Sequence, residues 1–166
     1  MAVTTIGILS DTHLVEVTPR FQARVEACFA GVSMICHLGD LTSLRVLQPF
    51  AGKIVHAVRG NMCDAATVAS LPEKKTLTVG GFRIGMIHRV GESYDFEDRL
   101  WQEFDEVDCI LYGHTHQPVC HRAGGILYLN PGGFMPGGRF GAPGTYGILT
   151  IDERQLQAAI HEVPRL

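Results

Sequence analysis

The sequence predicts an α/β fold, and two observations support this prediction. In the N-terminal third of the chain, short apolar runs rich in β-branched residues alternate with segments whose apolar residues recur at helical spacing. The resulting order of strand, helix, strand, helix and strand is typical of crossover connections, which place neighbouring strands parallel. A chain of 166 residues buries enough surface to fold without staples, and we expect a single domain over residues 1–166.

The N-terminal third supplies three predicted strands. Residues 3–9 are mostly apolar and indicate a buried strand. The helical spacing of apolar residues predicts a helix over 20–31, where a glycine gives a stop signal. Apolar runs at 33–37 and 53–58 predict the second and third strands, with a short helix over 43–50 between them.

The pattern changes in the middle of the chain. Residues 75–79 and 82–88 are separated by Gly80-Gly81, which predicts a β-hairpin. Residues 94–104 predict a helix, and 107–112 predict another buried strand. The side chains expected on one face of that helix are Phe96, Leu100, Trp101 and Phe104.

The last third is predicted to consist of short strands, at about 118–122, 125–129, 145–151 and 154–162. Between two of them, residues 131–144 are rich in glycine and proline. This composition predicts an irregular loop that is ordered but has some mobility. Arg139 in this loop is interpreted as a surface residue, with substrate binding as the alternative.

Charge and cysteine content exclude several classes of protein. The formal net charge is −3 and no basic run occurs, which argues against a nucleic-acid backbone as the main partner. The five cysteines include no C-x-x-C pair, which indicates a reducing compartment rather than a disulfide framework. Neither a charged leader nor a long apolar run is present, so we expect no membrane association and a cytoplasmic location.

Polar motifs follow five of the predicted strands at the point where each strand ends. The motifs are Ser10-Asp11-Thr12-His13, Gly39-Asp40, Gly60-Asn61, His88 and Gly113-His114-Thr115-His116. Each motif alone is a weak signal, because pairs such as Gly-Asp also mark turns. Ligand sites of open α/β sheets lie outside the carboxyl ends of the strands, so we expect the five motifs to converge on one rim.

The residue types in these motifs suit divalent metal ions. Imidazole binds Zn, Mn, Fe, Ni or Co, whereas carboxylate and amide oxygens bind harder ions such as Mn and Mg. In Asp11-x-His13 and His114-x-His116 the paired side chains lie on the same side of an extended segment. Glycines at 39, 60 and 113 are expected to allow a sharp turn before each ligand. Seven donors exceed the needs of one tetrahedral ion and favour two ions that share a carboxylate.

The motif series resembles the calcineurin-like metallophosphoesterase superfamily, in particular its compact branch of YfcE-like phosphodiesterases and the retromer subunit VPS29. The similarity runs from about Thr5 to Thr150 and includes Val58-Arg59-Gly60-Asn61-Met62, Leu71-Pro72-Glu73 and Asn130-Pro131-Gly132. It implies a four-layer α-β-β-α sandwich, in which two packed mixed β-sheets are flanked by helices. It also implies a hydrolase of phosphoric esters, in particular a phosphodiesterase.

The resemblance further implies a dinuclear metal centre. Its seven ligands would be Asp11, His13, Asp40, Asn61, His88, His114 and His116. Asp11, His13 and His116 would hold one ion, Asn61, His88 and His114 the other, and Asp40 would bridge the two. Asp40, Asn61 and His114 are expected to be catalytic. Mn²⁺ is the expected cofactor, with Ni²⁺, Zn²⁺, Fe²⁺ and Mg²⁺ as alternatives, and a hydroxide between the ions would attack phosphorus in line.

The chain departs from the family pattern at two places. Many members carry a histidine after Gly-Asn that acts as the acid for the leaving group, but here Met62 stands there, followed by Cys63, for which we expect no catalytic role. We therefore expect a preference for acidic leaving groups, such as those of aryl phosphodiesters. Arg89 replaces a glycine that often follows the first histidine, and either contacts substrate phosphate or faces solvent.

Two alternatives to a phosphodiesterase stay open. A scaffold protein like VPS29 could retain the fold and the metal site without catalysis, although a complete ligand set favours the enzyme. A hydrolase of another ester is also compatible, because the metals alone do not select the substrate. The expected partner is a small phosphoester, and a homo-oligomer is compatible with the sequence. His37 either orients a ligand or has a structural role only.

Overall fold

The structure is a computed structural model that describes residues 3–137 and 141–166. Its strands, numbered along the chain, form two five-stranded sheets. The first sheet contains β1 (Thr4–Leu9), β2 (Met34–His37), β3 (Ile54–Ala57), β9 (Thr145–Ile151) and β10 (Leu156–Glu162). Its order is β10-β9-β1-β2-β3, in which β1, β2 and β3 are parallel and β9 is antiparallel to both β1 and β10.

The second sheet has the order β4-β5-β6-β8-β7. Its strands are β4 (Lys74–Val79), β5 (Phe82–Ile87), β6 (Cys109–Leu111), β7 (Val119–Ala123) and β8 (Ile126–Asn130). The central strands β5, β6 and β8 are parallel, whereas β4 and β7 pair antiparallel at the edges. Both sheets are therefore mixed, and the parallel arrangement expected from the strand–helix order holds only for part of each.

Few helices accompany the sheets. Helix α1 (Pro19–Phe29) begins at Thr18, whose hydroxyl accepts the Phe21 N–H at 3.1 Å. Helix α2 (Ala65–Ser70) is only six residues long and was not predicted. Two further helices are 3₁₀, a first at Leu44–Phe50 and a second at Glu97–Glu103.

The two 3₁₀ helices correct the prediction of ordinary helices at 43–50 and 94–104. Pro49 lies inside the first and cannot donate an α-helical hydrogen bond. The second buries Phe96 and Leu100, but Trp101 is 56% exposed rather than packed on the same face. In a 3₁₀ helix, residues three apart lie on the same face, so Leu100 lies in line with Glu97 and Glu103. Its neighbour Trp101 is turned to another face.

The main core lies between the two sheets, where side chains such as Ile8, Cys36, Met86 and Leu129 are buried. Helix α1 and the first 3₁₀ helix cover the outer face of the first sheet, and the second 3₁₀ helix packs on the outer face of the second. This arrangement confirms the predicted four-layer sandwich of two mixed sheets flanked by helices.

The loop at 131–144 is irregular where it is described, with one bridge between Gly137 and Ala142. Arg139 lies outside the described residues. None of the described helices is long and apolar enough to cross a membrane.

Candidate metal centre

The carboxyl ends of five strands from both sheets meet at one rim. Strands β1, β2 and β3 contribute from the first sheet, and β5 and β6 from the second. Six of the seven predicted ligands lie there in two compact groups of side chains. The first group is Asp11, His13 and His116, and the second group is Asp40, His88 and His114. In each group the three candidate ligand atoms lie within 4.8 Å of one another.

The first group is formed by two loops that are far apart in sequence. Asp11 Oδ1 lies 3.2 Å from His116 Nε2 and 3.7 Å from His13 Nε2. The two imidazole nitrogens lie 3.4 Å apart. Three donor atoms at these separations can contact one ion.

The second group adjoins the first. His88 Nε2 lies 3.2 Å from Asp40 Oδ2 and 3.9 Å from Asp11 Oδ1. Asp40 Oδ2 in turn lies 4.0 Å from His13 Nε2. Each carboxylate therefore faces histidines of both groups, which is the arrangement needed for a carboxylate shared by two ions.

Hydrogen bonds fix the two carboxylates so that one oxygen of each remains available. Asp11 Oδ2 accepts from the Ser10 hydroxyl at 2.6 Å and from the His114 N–H at 3.1 Å. Asp40 Oδ1 accepts from the Met62 N–H at 2.6 Å. The remaining oxygens, Asp11 Oδ1 and Asp40 Oδ2, point toward the histidines.

His88 is oriented by a bond on its other nitrogen. Its Nδ1 lies 2.7 Å from the Leu38 carbonyl oxygen, which can only accept, so Nδ1 carries the proton. In the neutral ring Nε2 then presents a lone pair toward Asp40 Oδ2. At this 3.2 Å separation, either a second proton on Nε2 or a metal ion between the two atoms would satisfy both.

Unpaired buried atoms give a direct test of whether a metal fits. Among the described residues, buried side-chain atoms without a hydrogen-bond partner include Asp11 Oδ1, His88 Nε2 and His114 Nε2. Such atoms are rare in folded proteins and need an explanation. All three lie in the two groups, and all are metal-ligand atom types, so the residues fit divalent metal ions.

The electrostatics of the rim favour ionised carboxylates. Burial alone would raise the pKa of Asp11, but the nearby imidazoles of His116, His13 and His88 hold it well below its usual range. Asp40 behaves likewise, since His88 and the Met62 N–H outweigh burial and lower its pKa. Burial, with His88 and Arg89 nearby, lowers the pKa of His114. Two carboxylates surrounded by histidines make the rim a candidate cation site.

The backbone is strained at the predicted ligands. Positive φ angles occur at Asp11 (55°), His13 (48°), Asp40 (51°), His114 (72°) and His116 (58°). Residues other than glycine rarely adopt this left-handed region, and such strain clusters at functional sites. The side chains are thus aimed by backbone conformations that the rest of the fold must hold in place.

Two of the three glycines before the ligands have a different role from the predicted one. Only Gly39 has a positive φ, of 100°. A Cβ on Gly60 would overlap Asp40 Oδ1, and one on Gly113 would overlap the Ser10 hydroxyl. At these two positions glycine is needed for close approach of the loops rather than for a turn.

Asn61, the seventh predicted ligand, is exposed and follows β3. It lines a cavity of about 210 Å³ together with His88, Arg59 and Arg89. Glu73 also lines this cavity, 3.6 Å from Arg59. Arg89 was expected either to contact substrate phosphate or to face solvent. The structure favours the first alternative, because Arg89 lines the cavity, where it also pairs with Glu92 at 3.0 Å.

Several supporting residues were missed or left open by sequence reasoning. Tyr94 stacks on His114, with ring centroids 4.6 Å apart, and no local motif signals this contact. His37 is fully buried, accepts the Gly39 N–H and contacts the Thr12 hydroxyl at 3.1 Å, so it links the loops after β1 and β2. The Cys63 thiol accepts the Gly60 N–H and has a structural contact.

Comparison with known proteins agrees with this geometry. The model of the calcineurin-like phosphoesterase superfamily domain matches residues 5–154. A probable metallophosphoesterase of Methanothermobacter thermautotrophicus is 33% identical over 161 residues, which cover 93% of this chain and 90% of the relative.

Solved structures share the fold over nearly the whole chain. A predicted phosphoesterase from Streptococcus pneumoniae has a TM-score of 0.73 at 26% identity and covers 99% of this chain and 94% of its own. Vps29 from Entamoeba histolytica, complexed with Zn²⁺, has a TM-score of 0.72 at 19% identity. The match covers 97% of this chain and 100% of that Vps29 chain. An archaeal phosphodiesterase has a TM-score of 0.73 at 21% identity, and the match covers 95% of this chain and 100% of the archaeal chain.

The family match spans nine-tenths of the chain, and it agrees with the two mixed sheets and with the groups of metal-ligand side chains at their common rim. The chain belongs to the calcineurin-like phosphoesterase superfamily.

Proposed function

We propose that this protein is a metal-dependent phosphodiesterase with two divalent ions at the rim. The observation that carries the proposal is the set of buried, unpaired acceptor atoms on Asp11, His88 and His114. Asp11 Oδ1 lies among histidine nitrogens, and the two histidine nitrogens lie near the Asp40 carboxylate, so a pair of cations would satisfy all three atoms.

The two groups suggest how the ligands divide. Asp11, His13 and His116 would hold the first ion, and His88, His114 and Asn61 the second. Asp40 Oδ2 would bridge, because it lies within 4.0 Å of a histidine nitrogen from each group. Mn²⁺ suits this mixture of imidazole and oxygen donors.

When bound, such ions activate water as a nucleophile and neutralise charge on the phosphoryl oxygens. The chain itself positions the substrate. Asn61 and Arg89 line the cavity next to the second group, so the amide and the guanidinium can donate to non-bridging phosphoryl oxygens.

The leaving group receives little help from the chain near Asn61. Met62, which is 58% exposed, stands where an acid would be expected and cannot donate a proton. A leaving group that is stable as an anion is then favoured, as in aryl phosphodiesters. Their hydrolysis should be faster than that of alkyl monoesters.

The test compares hydrolysis of bis-p-nitrophenyl phosphate and of p-nitrophenyl phosphate by chelator-treated protein, with and without Mn²⁺. We expect Mn²⁺-dependent activity that favours the diester and that Asp40→Ala abolishes. His161→Gln, on an exposed position of β10, is the control and should keep full activity. Activity without metal, or unchanged activity in Asp40→Ala, contradicts the proposal.

A binding protein is the second candidate, favoured by the fold shared with Vps29. The same experiment separates the two. Protein that binds two ions per chain but hydrolyses neither substrate supports the scaffold, whereas turnover that follows metal occupancy supports the enzyme.

A further inference from the structure

A second cavity, of about 300 Å³, lies on the outer face of the second sheet, away from the two metal-ligand groups. The second 3₁₀ helix forms one wall and the β7–β8 hairpin forms the other. Its volume is at the lower end of the range of roughly 300–1,000 Å³ for small-ligand sites. Seven residues line it, and besides Ala123 they are Glu97, Asp98, Trp101, Tyr112, His121 and Tyr128.

Aromatic rings dominate the lining. Tyr112 and Tyr128 are buried and form the floor, while Trp101 is 56% exposed at the wall. His121 stacks on Tyr128, its partner in the β7–β8 pairing, with centroids 5.3 Å apart and planes within 12°. Burial raises the pKa of both tyrosines, so their rings stay neutral phenols near neutral pH. The ring faces are negative ends of aromatic quadrupoles, to which cations are attracted.

The charges in the lining are acidic. Glu97 and Asp98 begin the second 3₁₀ helix, and Glu97 accepts from the Tyr112 hydroxyl at 3.1 Å. This bond holds one carboxylate beside the Tyr112 hydroxyl. Arg122, the neighbour of His121 in β7, points to the opposite face, where its guanidinium donates to the Leu156 carbonyl. His121 is the single basic side chain among the described lining residues.

We propose that this cavity binds an organic ammonium ion, with a methylated, quaternary head preferred. Aromatic faces next to carboxylates suit a cation that is weakly hydrated and too bulky for a metal site. A neutral apolar ligand would gain no attraction from the two carboxylates, and an anion would be repelled by them. The proposal does not depend on the metal ions.

The chain has a built-in reporter for the test, because Trp101 is its only tryptophan. Tryptophan fluorescence is recorded while the protein is titrated with tetramethylammonium or choline chloride, against NaCl of equal ionic strength. The neutral carbon isostere of choline is the matched ligand control. We expect a saturable change with both cations and a much weaker response to the isostere.

Variants then test the carboxylates of Glu97 and Asp98 and the ring of His121. Glu97→Gln, which keeps an acceptor for Tyr112, and Asp98→Asn should each weaken binding about fivefold, as expected for loss of a nearby charge. Glu153→Gln, on the turn between β9 and β10, removes the same charge elsewhere and should have no effect. His121→Ala removes the ring stacked on Tyr128 and should also weaken binding, and amide NMR during the titration shows where the cation binds.

Several results would overturn the proposal. These are equal binding of the isostere, no saturable change with either cation, equal behaviour of Asp98→Asn and Glu153→Gln, or amide shifts confined to the metal-ligand loops. A trimethyllysine peptide and phosphatidylcholine vesicles distinguish a protein from a lipid source of the ammonium group. Asp40→Ala should bind the cations normally, so that failure here and failure of the phosphodiesterase proposal are separate results.

Discussion

His88 Nε2 lies 3.2 Å from Asp40 Oδ2, and in the neutral ring the two atoms face each other as acceptors because His88 donates through Nδ1 to Leu38. The contact joins β5 of one sheet to the loop after β2 of the other. It therefore links the packing of the two sheets to the proposed cation site.

Replacement of His88 should remove the second ion selectively. In His88→Gln the first group keeps all three of its side chains, so one Mn²⁺ per chain should remain where the native protein holds two. Isothermal titration with elemental analysis measures this stoichiometry, and His161→Gln should keep both ions. Two ions in His88→Gln would contradict the assignment.

The Ser10 hydroxyl should matter although it is not a proposed ligand. It donates to Asp11 Oδ2 at 2.6 Å and orients the carboxylate. Ser10→Ala should lower Mn²⁺ affinity about 10- to 100-fold, the usual effect of such a partner. The matched control is Ser70→Ala at the end of α2, where the hydroxyl is exposed and bonds the Ala66 carbonyl. Equal affinities in the two variants would show that Asp11 needs no such support.

Close approach of loops should make Gly113 intolerant of a side chain. A Cβ there would meet Ser10 and Asp11, and Gly113→Ala should cost about 1–3 kcal/mol, as overpacking does. Gly31→Ala is the control, because its Cβ meets nothing within 4 Å and a small gain of stability is expected. Urea unfolding measures both, and similar stabilities of the two variants would contradict the packing argument.

Alkaline pH should weaken the fold through buried thiols. Burial raises the pKa of Cys36 to about 12, above its usual 9.0. A raised pKa gives stability that is complete below pH 9 and is lost as the pH rises toward 12, because only the unfolded chain releases the proton. From pH 8 to 10 this group should reduce the free energy of unfolding by roughly 1 kcal/mol. Urea unfolding at both pH values should show a smaller decrease in Cys36→Ala, and an unchanged decrease would exclude Cys36 as its source.

The sequence predicts the parts of this protein that are local. Motifs such as Gly113-His114-Thr115-His116 place candidate ligands at strand ends. Because ligand sites lie outside the carboxyl ends of strands, the motifs are also predicted to lie on one rim. Helix α2 was missed because six residues carry too little periodicity. The insertion of β8 between β6 and β7 is a non-local pairing that spacing does not reveal.

The supporting contacts of the site were hidden for the same reason. Ser10 and Tyr94 act through tertiary contacts with Asp11 and His114, and neither stands at a motif position that distinguishes it from an ordinary polar or aromatic residue. Trp101, which is exposed, was predicted to share a helix face with Leu100 because α-helical spacing was assumed where the backbone is 3₁₀.

Two ions at the rim are the central claim, and anomalous diffraction from crystals soaked in Mn²⁺ tests it most directly. We predict two anomalous peaks about 3.5–4 Å apart, one beside His13 and His116 and the other beside His88 and His114, with Asp40 between them. A single peak, or peaks away from these side chains, would contradict the claim.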